Sequence, residues 1–207
     1  MATTEPRKRM TAAERREQLL DVARGAFAEK GFDAVSVEEI AQRAGVTKPV
    51  VYEHFGGKEG IYAVIIDREV NLLLQNMSRA LGVRSARGRV EAAADEFLAY
   101  IEERPDGFRV LLRDTSQVDG ARTTWTTVMG DVADQVDQQL ADELDERGFD
   151  RSVAPMYSRA VIGMIANVGQ WWLETGTPSR REVAAHVANL VYYGLVGLEQ
   201  RPELRTR

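Results

Sequence analysis

The residues able to do chemistry in this chain are few, and most of them crowd one short stretch. The 207 residues contain no cysteine and two histidines, His54 and His186, far apart in sequence. Disulfides, thiol catalysis, Cys-ligated zinc and iron–sulfur clusters are therefore excluded. Neither G-x-G-x-x-G nor G-x-x-x-x-G-K occurs, and no metal-ligand spacing is present. Carboxylates abound, but beside arginines on helical faces, where solvated ion pairs are the ordinary explanation. Little is left for an enzyme, and no cofactor is implied. What stands out is VSVEEIAQRAGVTKPVVYEHF at 35–55. Its Thr47, Lys48, Pro49 and Val50, with Tyr52 and His54 a turn further, offer donors and small apolar groups suited to base edges. Lys48 can donate to guanine O6 and N7, Pro49 and Val50 can touch thymine methyls, and Tyr52 and His54 suit phosphates.

Two short helices around a tight turn would position these groups. Ser36 stands three residues before Glu39, a reciprocal capping pair, and Ile40, Ala41 and Ala44 follow on one face. Gly45 ends the helix where positive φ is needed. Thr47 then caps a second helix, with Pro49 tolerated in its first turn and Val50, Val51 and Phe55 as its apolar positions. An alanine, a glycine four residues on and Val51 six beyond that are the contact positions of a helix-turn-helix. The second helix of that motif enters the major groove. Ser36 and Val37, with their backbone N–H groups, Arg43, and Lys58 at the start of the next helix are candidate phosphate contacts.

Ala44-Gly45-Val46-Thr47, Val51-Tyr52, His54-Phe55 and Lys58-Glu59, with the upstream VEEIA, resemble the DNA-binding region of the tetracycline-repressor (TetR) family. The likeness covers about the first third of the chain. Gly60 departs from it, standing where the family usually has a better helix former. The resemblance implies a DNA-binding regulator, a phosphate contact for Tyr52, a homodimer and a helical ligand domain.

Composition and periodicity extend the reading. The net charge is −5, yet residues 1–16 carry Arg7, Lys8, Arg9, Arg15 and Arg16 against Glu5 and Glu14. This asymmetry suits a small basic contact surface on an acidic body. No apolar run approaches the ~20 residues of a membrane span and no secretion signal is present, so a cytoplasmic protein without membrane contact is expected. Residues 1–10 are expected to form a flexible basic arm, 11–57 the helix-turn-helix domain, and 58–207 a helical ligand-binding and dimerisation domain. Helices are predicted from the Thr11/Glu14 cap to Lys30, from Lys58 to about Leu81, from about Arg89 to Glu103, from Pro105, over some 25 residues to Arg147, from Arg151 to Glu174, and from the Ser179/Glu182 cap onward. Asp114 to Gly120 reads as loop. No period-2 strand and no hairpin dipeptide appears, so the fold is all-α.

The last two helices are apolar on more than one face, which calls for a partner. A two-fold homodimer through a four-helix bundle is expected, with Ile162, Ala166, Gly169, Leu173, Val187, Leu190, Val191, Gly194 and Leu198 at the interface. Aromatics and methionines gather in the middle helices. Phe97, Tyr100, Phe108, Leu112, Trp125, Met129, Met164, Asn167, Val168 and Trp171 are the candidate lining of a small-molecule pocket. The effector would be small and apolar; PVVYEHF with FLAYIEERPDGFRVLL resembles family members that sense fatty acyl compounds. Its binding would shift the 105–113 helix, swing the 58–81 helix and mismatch the two heads to a palindromic duplex, releasing a repressor. The alternative is a constitutive DNA-binding regulator without effector.

Overall fold

The computed structural model describes residues 10–113 and 125–204. The expected arm at 1–10 and loop at 114–120 fall almost wholly outside them. Among the described residues there are nine α-helices and one 3-10 turn, and no strand: α1 (Ala12–Lys30), α2 (Val37–Ala44), α3 (Lys48–Phe55), α4 (Lys58–Leu81), α5 (Ala86–Glu103), α6 (Pro105–Arg113), α7 (Trp125–Glu146), the turn Arg151–Val153, α8 (Ala154–Thr175) and α9 (Arg180–Val196).

Local chemistry sets most boundaries. Thr11 and Glu14 form the reciprocal capping box of α1, and Ser179 and Glu182 that of α9. Gly45 takes the left-handed conformation at φ 64°, and the Val46 amide donates to the Ala41 carbonyl at 2.9 Å, closing the turn between α2 and α3. α5 starts three residues earlier than its apolar pattern predicts, because Ser85 caps it by accepting from the Gly88 amide at 3.1 Å. Gly60 also has a reason to depart from a good helix former. A Cβ there would lie 1.9 Å from the Phe55 carbonyl oxygen, so glycine lets α4 begin directly beneath the end of α3.

α1 lies across α2 and α4, with Leu19, Ala23, Phe27, Ile40, Val51 and Ile61 closing the centre of this head. Phe27 meets Tyr62 edge-on at 5.0 Å, which ties α1 to the start of α4. α4 then runs out of the head and packs along α5 and α7. α5 lies against α9 and α7 against α8, so α4, α5, α7 and α8 surround the middle of the body. One continuous apolar core reaches from Leu19 to Val191; Leu140, Leu144, Phe149 and Ala154 form a smaller one at the far end.

Candidate nucleic-acid interface and internal cavity

Val51 is the single buried residue of α3 and joins Ile40, Ala41 and Ala44 of α2 in the core of the head. Fixing α3 by that one side chain leaves Thr47, Lys48, Pro49 and Tyr52 exposed, with Val50 and His54 half-buried. Tyr52 is 53% exposed, unusual for an aromatic on an otherwise well-packed unit. The face is therefore one of donors and small apolar groups around the N-terminus of α3, the end such a helix inserts into the groove.

Several expected contacts prove to be engaged within the head. Ser36 Oγ accepts from the Glu39 amide at 3.1 Å, but the reciprocal bond is missing. The Glu39 carboxylate instead takes the Lys30 ammonium at 2.8 Å and the Arg43 guanidinium at 2.6 Å, the Lys30 bond above all holding it below the usual carboxylate range. Arg43 also pairs with Glu29 at 2.8 Å, so it braces α2 on α1. Lys58 donates to the Phe32 carbonyl at 3.1 Å and rides over the Phe32 ring at 4.3 Å, away from a free phosphate-binding pose. Lys48 Nζ contacts Glu38. Val37 has a buried side chain, so only its backbone N–H is offered. Thr47 departs in the other direction: it adopts the N-cap backbone conformation yet its side chain makes no cap hydrogen bond.

The sequence reading missed the residues that hold this platform from behind. Arg16 donates to the His54 carbonyl at 2.7 Å and stacks over Phe55 at 4.2 Å, capping the end of α3 with a cation. Gln18 donates its neutral amide to the Ala44 carbonyl at 3.2 Å and caps the end of α2 without a charge. Their positions on the second turn of α1 carry no local signal, because their partners lie 26 or more residues away.

The body contains a cavity of about 670 Å³. Leu73, Met77 and Leu81 of α4 form one wall, Val90 and Phe97 of α5 a second, and Met129, Val132 and Val136 of α7 with Ile162, Ile165 and Ala166 of α8 the others. The polarity changes along its length. Among the described residues the Phe97 end is lined by apolar side chains, whereas Arg84, Arg89, Gln139, Glu143 and Arg147 line the opposite end. Arg89 pairs there with Glu143. Arg147 donates to the Leu195 and Val196 carbonyls at 2.9 and 3.0 Å.

Of the expected lining, Phe97 and Met129 face this cavity. Tyr100 and Phe108 do not; both are fully buried between α4, α5 and α6, and the Tyr100 hydroxyl donates to Glu69 Oε2 at 3.1 Å. Leu112, Met164 and Val168 are half-buried outside the lining, and Asn167 and Trp171 are exposed. The Trp125 side chain lies outside the described residues. The expected interface is also redistributed. Ile162, Ala166 and Val191 line the cavity, Val187 is buried, and Leu173 and Leu198 are half-buried. A Cβ on Gly169 would lie 2.6 Å from both Phe97 and Ile101, so that glycine admits α5, not a partner subunit. Leu190 and Gly194 are exposed in the single chain. The reason is common to both sets: the most apolar stripe of each helix turns inward. The outward stripe is mixed, with Met156, Gly163, Asn167 and Trp171 on α8 and Leu190, Tyr193 and Gly194 on α9.

Comparison with known proteins agrees with this geometry. The family described as "Bacterial regulatory proteins, tetR family" matches residues 19–65, and "Tetracyclin repressor-like, C-terminal domain" matches residues 76–206. The HTH-type transcriptional activator FasR of Mycolicibacterium smegmatis is 28% identical, over 96% of this chain and 89% of its own. The fatty acid degradation regulator FadR from Bacillus halodurans superposes with a TM-score of 0.70 at 17% identity, over 94% of this chain and all of its own. AibR, solved in complex with isovaleryl coenzyme A and operator DNA, superposes with a TM-score of 0.71 at 18% identity, over 86% and 97% of the two chains. The last two likenesses are of fold. Among the described residues no helix is long and apolar enough to cross a membrane, and no cluster of metal-ligating side chains is found.

Proposed function

Since the chain belongs to the tetR family of bacterial regulatory proteins, and is a DNA-binding transcriptional regulator, we propose that it grips a palindromic operator as a homodimer and releases it when an elongated, largely apolar effector fills the cavity. The observation that carries this reading is that α4 does both jobs. Its first turns belong to the head, and its Leu73, Met77 and Leu81 are cavity wall. A ligand that favours one position of that wall shifts the head with it, provided it binds the two positions with different affinity.

The division into a head at 11–57 and a body at 58–207 is part of the proposal, with the first turns of α4 packed into the head. Thr47, Lys48, Pro49 and Val50 read the groove, Tyr52 and His54 meet phosphates, and the backbone N–H groups at Ser36 and Val37 meet another. The outward stripe of α8 and α9, around Trp171, Leu190 and Tyr193, forms the two-fold interface. That interface sets two heads about one turn of duplex apart, ~34–36 Å, or a multiple of it.

The polarity of the cavity selects among effectors. From Leu73 to Leu81 the α4 wall extends about 12 Å, and Arg84 stands just past its end. An extended hydrocarbon chain fits along it, with a polar head group at the Arg84, Arg89 and Arg147 end. Fatty acyl compounds have this form. Proteins of the same fold support the class: one is named a regulator of fatty acid degradation and another holds isovaleryl coenzyme A. Repression follows where the operator overlaps a promoter; an operator upstream would make the same protein an activator, as FasR is named.

The test starts from duplexes selected out of a random pool by the full chain. The selected site is expected to be an inverted repeat, and dodecanoate or dodecanoyl coenzyme A to release it. No preference for any duplex would overturn the operator reading. An operator complex indifferent to both compounds and to shorter and longer homologues would leave a constitutive regulator in its place.

A further inference from the structure

Among the described residues the least accessible charge is neither at the proposed DNA face nor in the cavity. Glu69, in the middle of α4, is 1% exposed. Its carboxylate accepts from Arg104 Nε at 2.8 Å and Arg104 Nη2 at 2.5 Å, and from the Tyr100 hydroxyl at 3.1 Å. Arg24 of α1 stands 3.8 Å away and is shared with Asp21 at 3.0 Å. Burial, and then the neighbouring carboxylate, push the Tyr100 phenol well above its ordinary range, so it stays a donor. The carboxylate also rests on bare backbone of α6: a Cβ on Gly107 would come within 2.3 Å of Glu69 Oε2. Four helices thus meet at one charged group: α1 and α4 from the head side, α5 and α6 from the body.

We propose that Glu69 and its partners are a fixed pivot on which head and body turn, and that Glu69 is a positioning residue for the spacing of the two recognition helices. The proposal rests on the operator reading above. Geometry supplies the lever. Along α4, Leu73 and Met77 of the cavity wall lie about 6 and 12 Å to one side of Glu69, and Lys58 at the head lies about 16 Å to the other. A displacement at the wall therefore arrives enlarged at the head. Phe97, itself cavity wall, meets Phe108 edge-on at 5.7 Å, and Phe108 meets Tyr100 at 6.3 Å, so α6 borders the same cluster.

Magnitudes decide between a pivot and a latch that breaks. Coupling between two sites is typically about 5- to 150-fold in affinity. Removing one partner of a buried ion pair costs roughly two to four orders of magnitude in equilibrium constant. An effector of ordinary coupling strength does not open this cluster. It turns the helices about it.

Two variants of the full chain test this. One replaces the pair by apolar groups, Glu69→Leu with Arg104→Leu, an exchange that buried pairs often tolerate. The other, Gly107→Ala, unseats the carboxylate. Each is assayed by thermal melting and by equilibrium binding to the selected operator, to operators with one and two base pairs inserted between half-sites, and to an isolated half-site. Wild-type affinity is expected to fall roughly tenfold or more on a one-pair insertion. The folded variants should lose less than about threefold there and keep their half-site affinity. A folded variant with wild-type spacing discrimination makes the cluster an ordinary structural ion pair and overturns the pivot. So does failure of both variants to fold. A wild-type protein with no spacing preference overturns the operator reading, and the pivot with it.

Discussion

The head and the body share α4 but are packed on opposite principles. In the head, Leu19, Ala23, Ala26, Ile40, Val51 and Ile61 are completely shielded from solvent. In the body, α4, α5, α7 and α8 leave about 670 Å³ unfilled, bordered by side chains that a tighter bundle would interdigitate. The contrast separates two tasks. On the proposed reading, a surface that meets base edges must keep Thr47, Lys48 and Pro49 in register to within a fraction of an ångström. A sensor must have a second arrangement close in energy, which a void makes available.

Truncations should register that contrast most strongly. Leu19→Ala opens a hole in a closed core and is expected to cost about 3 kcal/mol. Ile162→Ala removes atoms that already face a void and should cost under about 1 kcal/mol, since little new cavity is created. Urea unfolding of both variants makes the measurement. Equal costs would mean the body is packed as tightly as the head.

Next in size is the outward stripe of α8 and α9. Leu190 is 62% exposed in the single chain and Tyr193 56%. Leu190→Glu would bury two like charges near a two-fold axis. Sedimentation should show single subunits, and operator affinity should drop by about 100-fold or more as one head is lost. A variant that stays dimeric moves the interface elsewhere. Smaller again is the effect of filling the cavity. Ala93→Phe projects a ring into the apolar region between Val90 and Phe97. It should weaken dodecanoyl coenzyme A about tenfold, measured by titrating the compound against the isolated protein. In the head the same enlargement at Ala23, which has no space beside it, should destabilise by about 1–3 kcal/mol.

How much of this was legible in the sequence follows the same divide. The head is built from contacts of short sequence range. The Gly45 turn, the Ser36 and Thr11 caps and the apolar Val51 each announce themselves within a few residues, and α1 to α4 fall where the pattern puts them. The body is built from choices between faces. On α8, Ile162 and Ala166 are as apolar as any interface residue, and only the positions of α4, α5 and α7 turn them inward. Asn167 and Trp171, read as cavity polar and aromatic groups, are turned outward by the same rotation. Glu69 gave one signal that was missed: it stands three or four residues from Ile65, Ile66, Leu72 and Leu73, on the apolar stripe of α4, but what satisfies a carboxylate there is supplied by Arg104, Tyr100 and Gly107 from distant helices.

The two motif caps give the finest test, because they look equivalent in sequence and differ in space. Ser36 Oγ accepts the Glu39 amide at 3.1 Å, whereas the Thr47 side chain makes no cap hydrogen bond. Ser36→Ala should therefore cost about 1 kcal/mol of stability, the usual worth of an N-cap hydroxyl. Thr47→Ala should leave the melting temperature unchanged and instead weaken operator binding, since its hydroxyl is exposed at the end of α3 that faces the groove. A loss of about 1 kcal/mol there is the low end for a side chain that touches a base edge. Melting and operator titration of the two variants form a crossed pair. If Thr47→Ala proved destabilising and binding-neutral, its hydroxyl would be a cap after all, and the base-reading set would begin at Lys48.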